Sequence, residues 1–211
     1  ARYNACTAFY RIYNRAFLIL RKADVKIPGE HNVDNYLAAI CAVHGLVKKE
    51  TVSKVARTFG GVPHRLELIR EFNGVKFYND SIASSPTRTS AGLRAFKNKV
   101  VLIAGGYDKK IPFDGFGEIV VKKTKAVVLV GATAEKLREE IEKTLAKHEI
   151  NEPVITCTTL TEAVKSAYSL ADEGDAVLLS PACASFDMFK NFEERGNAFK
   201  EIVANLGKAE L

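Results

Sequence analysis

The chain is 211 residues long, 47% of its residues are apolar, and its 31 lysine and arginine residues outnumber its 25 aspartate and glutamate residues, for a formal net charge of +6. This apolar content suffices for a sizeable core, which excludes a disordered chain, and no apolar run approaches the roughly 18 residues of a membrane-spanning helix. The basic residues are scattered among the acidic ones, so the composition favours small anionic substrates over nucleic acid as partners.

The first 22 residues show no legible hydrophobic period, so no element is predicted there. They also lack the charged start, apolar core and small-residue cleavage site of a secretory signal. The four cysteines are far apart, without a C-x-x-C pair or histidines at zinc-finger spacing; they are Cys6, Cys41, Cys157 and Cys183. We therefore expect a cytoplasmic protein with no membrane association, whose thiols stay reduced and serve as packing residues.

The first clear element is an amphipathic helix predicted over residues 32–49, after a Pro28-Gly29 turn. Asn35 lies one turn into it, where a polar amide could face a nucleotide held by the free N–H groups of the helix start. The alternative is structural, with Asn32 capping the helix and His31 packing in the turn. Spacing alone favours the structural alternative.

A domain boundary is predicted at Gly60-Gly61-Val62-Pro63, because glycines and a proline interrupt the helix and free the chain to pivot. The two predicted units are residues 1–61 and residues 62–211. Arg65 follows the boundary, where its guanidinium could swing onto a phosphate, although an arginine in such a place is most often solvated or ion-paired.

The second unit is predicted to be α/β, a Rossmann-like and mostly parallel sheet with helices on both faces, opened by a β-hairpin. Residues 66–72 and 75–78 flank Asn73-Gly74, the strongest short hairpin signal. Short β-branched runs then alternate with helix-period segments, which indicates a covered parallel sheet. The runs are residues 100–104, 126–130, 154–158 and 176–179, and the helical segments are residues 113–123, 134–147, 160–172 and 188–206.

Polar residues gather where predicted strands end, which is where open α/β sheets bind ligands. The first group runs from Asp80 to Ser84, before a helix that Pro86 opens; a binding site and a simple capped helix explain it equally well. The second is Gly105-Gly106 followed by Lys109, whose ammonium could hold a carboxylate or phosphate.

The third group follows the last strand and ends at Ser185, which is predicted to lie near a helix start, where N–H groups suit a small carboxylate. Phe186 and Phe189 are expected to be core residues of that helix. No stretch matches the P-loop pattern G-x-x-x-x-G-K-[ST], and no nucleophile motif or metal-ligand set occurs. Covalent catalysis is therefore not expected.

Taken in order, five stretches resemble the Mur ligase family: GEHNVDN, PHR, YNDSIASSPT, AGGYDKK and LLSPACASFDMFKNFEERG. The first four are signals of the whole family, and the fifth resembles its D-glutamate-adding branch. The resemblance implies an ATP-dependent enzyme of three domains. This chain would hold a remnant of the central ATPase domain without its P-loop, and the whole carboxyl-terminal domain. We expect such a chain to be inactive without the N-terminal domain and the rest of the central one.

The resemblance also implies roles for single residues. Asn35, Arg65 and Asp80 would bind ATP; Lys109, Ser185 and Phe192 would form the D-glutamate pocket, with Ser84 helping to position the amino acid. The substrates would be UDP-N-acetylmuramoyl-L-alanine and D-glutamate, and the whole enzyme would use ATP and Mg²⁺. Ile82 stands where some relatives carry a lysine, which leaves the amino-acid specificity open.

Two other functions compete with this one. The chain could be a stand-alone Rossmann-like module that binds a nucleotide or an amino acid without catalysis. A nucleic-acid-binding α/β domain, which we rank last, predicts strongly salt-dependent binding to DNA or RNA.

Overall fold

The computed structural model describes residues 2–4, 7–12, 15–27 and 29–208. The chain divides into two compact units, Ala1–Gly61 and Val62–Leu211. Within the described residues, no helix is both long enough and apolar enough to cross a bilayer.

The first unit opens with three antiparallel strands in the order β1-β2-β3, where no element was predicted. They are β1 Arg2–Asn4, β2 Thr7–Ile12 and β3 Arg15–Arg21. Residues 16–20 of β3 are apolar without alternation, and period alone cannot assign such a run to a strand. A short 3-10 turn, Lys22–Asp24, follows, and Leu20, Ile40 and Ala56 form the small core of the unit.

The single helix predicted over residues 32–49 is instead two helices, α1 Glu30–Ala42 and α2 Lys49–Thr58. Gly45 adopts a φ of +81°, a conformation that favours glycine, and the chain turns there before α2 begins. The predicted cap is also wrong, because Gly29 is the N-cap of α1 and Asn32 lies inside the helix. Asn32 Oδ1 accepts a hydrogen bond from Asn35 Nδ2 at 3.1 Å.

The second unit contains a six-stranded sheet in the order β4-β5-β9-β6-β7-β8. Its strands are β4 Glu67–Phe72, β5 Val75–Asn79, β6 Val100–Ala104, β7 Thr124–Val130, β8 Val154–Cys157 and β9 Ala176–Leu179. Only β4 and β5 pair antiparallel, and every other neighbouring pair is parallel. Asn73 and Gly74 join β4 to β5 with φ of +48° and +75°, as a type I′ turn requires. The predicted fold class and hairpin are confirmed.

Helices cover both faces of this sheet. They are α3 Pro86–Arg94, α4 Phe116–Lys123, α5 Ala134–Lys147, α6 Leu160–Ser169 and α7 Phe192–Asn205. Leu102 of β6 packs into a core with α3, α4 and α5, whereas its neighbours Val101 and Ile103 pack with α6 and α7. Because successive residues of a strand point to opposite faces of the sheet, β6 contributes side chains to both cores.

Three helix boundaries differ from the prediction by three residues or more, and α7 ends at Asn205, one residue before its predicted end. α4 begins at Phe116, after Gly115 at a φ of +71°, and α6 ends at Ser169. α7 begins at Phe192 rather than at residue 188, because Asn191 caps it: Asn191 Oδ1 accepts the Glu194 N–H at 2.7 Å. Residues 188–191, which were predicted to be helical, therefore belong to the loop of residues 180–191 that follows β9.

The cysteines differ in their exposure to solvent. Cys183 is buried, as expected of a packing residue, and Cys157 is half-buried. Cys41 is exposed, so the packing prediction is wrong for it, and Cys6 lies outside the described residues.

Candidate functional site

The three predicted groups of polar residues lie at the carboxyl ends of β5, β9 and β6, which are neighbours in the sheet. Their loops are tied together by backbone bonds: Gly105 N–H donates to Pro181 O at 2.8 Å, and Tyr107 N–H donates to Ala184 O at 2.9 Å. Ala182 N–H donates to Ala83 O at 3.0 Å. The structure thus brings together loops that are far apart in sequence, at the edge where such sheets bind ligands.

Asp80 is the buried acid of this edge, with 4% of its surface exposed. Its Oδ1 accepts the Leu66 N–H at 3.2 Å, and its Oδ2 accepts the Ser180 hydroxyl at 2.8 Å. Burial raises the pKa of the Asp80 carboxyl from 3.8 to about 6, against the opposing effects of these two hydrogen bonds and of the Arg65 and Arg88 charges. Both oxygens are engaged within the chain, so a contact to a nucleotide would have to exchange one of these bonds.

The raised pKa of Asp80 predicts a pH-dependent stability. Because the folded-state value of about 6 exceeds the unfolded value of 3.8, the stabilising contribution is complete below about pH 4 and is lost as the pH rises through 6. A shift of this size corresponds to about 3 kcal/mol. We expect Asp80→Asn, which stays neutral, to gain stability relative to the unsubstituted chain by roughly this amount between pH 4 and pH 7.5. Urea denaturation of both proteins across this range measures the difference, and a difference that does not change with pH would contradict the assignment.

Lys109 and Ser84, 25 positions apart, are brought together by the loops. The Lys109 ammonium lies 3.5 Å from Ser84 Oγ, at the long end of hydrogen bonding. Its neighbour Asp108 is engaged elsewhere, with Lys136 at 3.2 Å and with the Lys110 N–H at 2.6 Å. In the described part of the chain no carboxylate pairs with Lys109, so its exposed charge is available to an anionic ligand.

Ser185 is buried, but it does not lie near a helix start, so that part of the prediction is wrong. Its carbonyl accepts the Met188 and Phe189 N–H groups at 3.1 and 2.8 Å, which makes a turn well before α7 begins. Only 2% of Ser185 is exposed, and no hydrogen bond among the described residues uses its hydroxyl. The hydroxyl is therefore free to donate a hydrogen bond to a bound carboxylate.

Phe192 is the first residue of α7 and is half-buried. Its carbonyl accepts the Ser81 hydroxyl at 2.7 Å, which ties the start of α7 to the loop after β5. Its ring meets the His64 ring edge-on, with 6.0 Å between the centroids. Phe192 is therefore held against both the residue that precedes Arg65 and the loop that carries Ser84.

His64 is a buried residue near the start of the second unit. It is 7% exposed, and its Nδ1 lies 2.9 Å from the Asn79 amide nitrogen, so Nδ1 accepts and the ring is neutral. Burial lowers the pKa of His64, and the charge of Lys200 lowers it further. Arg65 itself is exposed between the two buried residues His64 and Leu66, and its charge also acts on Asp80.

Asn35 is exposed on α1 in the first unit, bonded to Asn32, and so belongs to a different unit from the other predicted residues. Phe186 was predicted to be a core residue, and this is wrong: it is 64% exposed and meets the Tyr107 ring edge-on at 6.0 Å. Phe189, by contrast, packs against the core on the α6 and α7 face, as predicted.

Sequence reasoning missed Arg195, which is buried beside this site and bonded to two of its loops. The apolar pattern of the α7 segment did contain a signal for this residue. Arg195 lies three residues after Phe192 and four before Phe199, on the apolar stripe of α7, where a charged residue is out of place.

Comparison with known proteins decides the family. Residues 64–183 match the sequence model described as "Mur ligase, glutamate ligase domain". The chain belongs to the Mur ligase family. The matched Mur ligase region begins at His64 and includes the loops that carry Asp80, Ser84 and Lys109. The resemblance inferred from the five sequence stretches is confirmed.

Curated relatives of this Mur ligase chain carry the name "UDP-N-acetylmuramoylalanine--D-glutamate ligase". The one from Acetivibrio thermocellus is 60% identical over 192 residues, which are 89% of this chain and 41% of the relative. The one from Clostridium perfringens is 52% identical over 202 residues, 94% of this chain and 44% of the relative. The chain therefore spans less than half the length of these relatives.

Solved structures share the fold at low sequence identity. Folylpolyglutamate synthase from Mycobacterium tuberculosis, solved with ADP and AMPPCP, matches with a TM-score of 0.61 and 17% identity over 82% of this chain and 41% of that one. A pseudomurein peptide ligase type C from Methanothermus fervidus matches with a TM-score of 0.59 and 19% identity over 93% of this chain and 39% of that one. At these identities the likeness shows the fold alone.

Proposed function

We propose that this chain is the carboxyl-terminal part of a cytoplasmic, ATP-dependent ligase that adds D-glutamate to UDP-N-acetylmuramoyl-L-alanine in peptidoglycan synthesis. The name and the identity of the curated relatives support the substrate pair. The observation that carries the proposal is the contact of the Lys109 ammonium, which has no carboxylate partner among the described residues, with the Ser84 hydroxyl at 3.5 Å, at the sheet edge where α/β folds bind ligands.

The geometry suits an amino acid with two carboxylates. The bond from Tyr107 N–H to Ala184 O joins the loop of Lys109 to the loop of Ser185, and the Lys109–Ser84 contact joins it to the loop after β5, which supports a pocket of one cation and two hydroxyls. Lys109 would hold one carboxylate by a charge-assisted hydrogen bond, and Ser185, helped by Ser84, would orient the amino acid. The half-buried Phe192 would close the pocket.

The reaction proposed for the whole ligase joins a carboxylate to an amine. The carboxylate of the L-alanine residue takes the γ-phosphoryl group of ATP, the bond to the β-phosphate breaks, and an acyl phosphate and ADP form. The D-glutamate amine then attacks the carbonyl carbon of the acyl phosphate, phosphate leaves with the electrons of the broken C–O bond, and the nitrogen gives up a proton as the amide forms. The part of this chain is to hold the amine in line with the carbonyl, which can supply a large share of the rate enhancement.

Arg65, Asp80 and Asn35 are the proposed contacts to ATP. Arg65 is exposed and can neutralise phosphate charge, and Asp80 is held by hydrogen bonds from the Leu66 N–H and the Ser180 hydroxyl. Mg²⁺ is expected of the whole ligase. The described residues contain no group of three or more His, Cys, Asp or Glu side chains that could hold a metal ion.

A calorimetric titration of the 211-residue chain tests the amino-acid pocket. We expect heat of binding with D-glutamate and much less with L-glutamate, because a pocket that aligns the amine distinguishes the two hands. Ser185→Ala should remove most of the D-glutamate signal, whereas Ser169→Ala, at an exposed serine that ends α6, should keep it. Equal binding of both isomers, or D-glutamate binding that is unchanged by Ser185→Ala, would contradict the proposal.

A further inference from the structure

Arg195 is a buried cation that the proposed chemistry does not use. It lies in the first turn of α7, and 2% of its surface is exposed. Its Nε donates to Ser81 Oγ at 3.0 Å and its Nη2 to Ser81 O at 2.9 Å. Its Nη1 donates to Ala184 O at 3.0 Å, and both Nη atoms donate to Cys183 O at 3.2 Å. All of these acceptors are uncharged.

A buried arginine that donates only to uncharged acceptors is expensive, and the charge of Asp187, which acts on Arg195, offsets only part of the cost of burial. Burial lowers the pKa of the Arg195 guanidinium to about 10, which still leaves it charged at neutral pH. An apolar side chain at this position of α7 would cost less free energy to bury. The cost of burying an arginine here therefore points to a geometric role. The planar guanidinium donates hydrogen bonds in several fixed directions, which a lysine ammonium does not.

The acceptors of Arg195 belong to the two loops that carry the pocket hydroxyls. Ser81 lies three residues before Ser84, and Cys183 and Ala184 immediately precede Ser185. Ser81 also extends the connection, because its hydroxyl donates to Phe192 O at 2.7 Å. The third loop is in contact as well, since a Cβ on Gly106 would lie 3.2 Å from Arg195 Nη1.

We propose that Arg195 is a positioning residue of the amino-acid pocket, which fixes the spacing between the Ser84 loop, the Ser185 loop and the start of α7. The inference rests on the proposed function, and it deepens it by naming the group that sets the pocket geometry. Arg195 acts through the residues that it holds, and it does not itself touch the amino acid.

The test uses the longer ligase that carries this chain, with phosphate release as the readout, and compares Arg195→Lys and Arg195→Met with the unsubstituted protein. Either variant should raise the KM for D-glutamate by about tenfold to a hundredfold, since a misplacement on the order of 1 Å costs this much. The KM values for ATP and for UDP-N-acetylmuramoyl-L-alanine should change little. Arg195→Lys, which keeps the charge and part of the donors, should be affected less than Arg195→Met.

Arg70 provides a matched control. Its Nη1 also binds three carbonyls, Val203 O at 2.6 Å and Ala204 O and Leu206 O at 3.2 Å, but at the opposite end of α7. A 14-residue helix is about 21 Å long, so Arg70 lies far from the pocket. Arg70→Met should lower the thermal stability and leave the KM for D-glutamate unchanged.

If the Arg195 variants do not fold, Ser81→Ala carries the test, because it removes the hydroxyl that links Arg195 to Phe192. A higher KM for D-glutamate in Ser81→Ala would support the inference. An unchanged KM for D-glutamate in Arg195→Lys and Ser81→Ala, or an equal rise in Arg70→Met, would overturn it. If the unsubstituted ligase releases no phosphate in response to D-glutamate, the proposed function itself fails, which is a separate and recognisable result.

Discussion

Replacing Gly106 with alanine is expected to destabilise the second unit by about 3 kcal/mol or more, from backbone strain together with overpacking. Gly106 has a φ of +142°, and a Cβ built on it would lie 2.3 Å from Ala184 O. The residue cannot move away easily, because its N–H donates to Thr133 Oγ1 at 3.1 Å and its carbonyl accepts the Thr133 N–H at 3.0 Å. The protection of β6 and β9 amides from hydrogen exchange measures the loss.

Gly174→Ala is the matched control for this experiment. Gly174 also has a positive φ, +91°, but nothing lies within 4 Å of the position of its Cβ. Strain alone should then cost about 1–2 kcal/mol. If both variants lost the same stability, the close approach of the loops after β6 and β9 would not be what requires glycine at position 106.

Replacing Lys109 with alanine is expected to lower kcat/KM for D-glutamate by about 10- to 100-fold or more, since a hydrogen bond to a charged group contributes roughly 1.5–3 kcal/mol. The ammonium has no carboxylate partner in the described residues, and its one recorded hydrogen bond is the long contact to Ser84. Stability should therefore change little. Steady-state kinetics of the longer ligase measure the effect on the amino acid, on ATP and on the nucleotide-linked substrate separately.

Lys143→Ala serves as the control, because it removes the same charge from an exposed position on α5. Lys109→Arg should recover part of the activity, since it restores a cation with a different reach. A Lys109→Ala enzyme with an unchanged KM for D-glutamate, or one matched by Lys143→Ala, would remove Lys109 from the pocket.

The sheet of the second unit could be predicted because its signals are local. Asn73-Gly74 sets a type I′ turn by the φ values that these residues tolerate, and β6 and β9 have the predicted bounds of residues 100–104 and 176–179. Short apolar strands bounded by polar residues admit few alternatives in an alternating α/β pattern. The predicted positions of Lys109 and Ser84 near strand ends follow from the same pattern.

The boundaries that failed depend on single residues whose effect is not periodic. The apolar pattern of the first helix continues past Ala42, yet Leu46 is 81% exposed, because the turn at Gly45 ends α1 before that residue is reached. Asn191 likewise starts α7 later than the apolar period suggests, and this places Ser185 and Phe186 in a loop. A capping residue within an apolar pattern outweighs the period at a boundary.

The buried network of the site could not be read from spacing. Arg195 and Ser81 are 114 positions apart, and only the pairing of β5 with β9 brings their segments together. The raised pKa of Asp80 also depends on burial by the fold, which no local pattern reveals. The strand ends that carry the proposed ligand-binding side chains could therefore be predicted from the sequence, whereas the residues that hold these loops in place could not.

The most direct test of the account is phosphate release by the longer ligase with ATP, UDP-N-acetylmuramoyl-L-alanine and each of D-glutamate, L-glutamate, D-aspartate and L-lysine in turn. The account predicts release that depends on the nucleotide-linked substrate and is strongest with D-glutamate. Release that is strongest with another amino acid, or that is independent of the amino acid added, would contradict the claim that this chain carries a D-glutamate pocket.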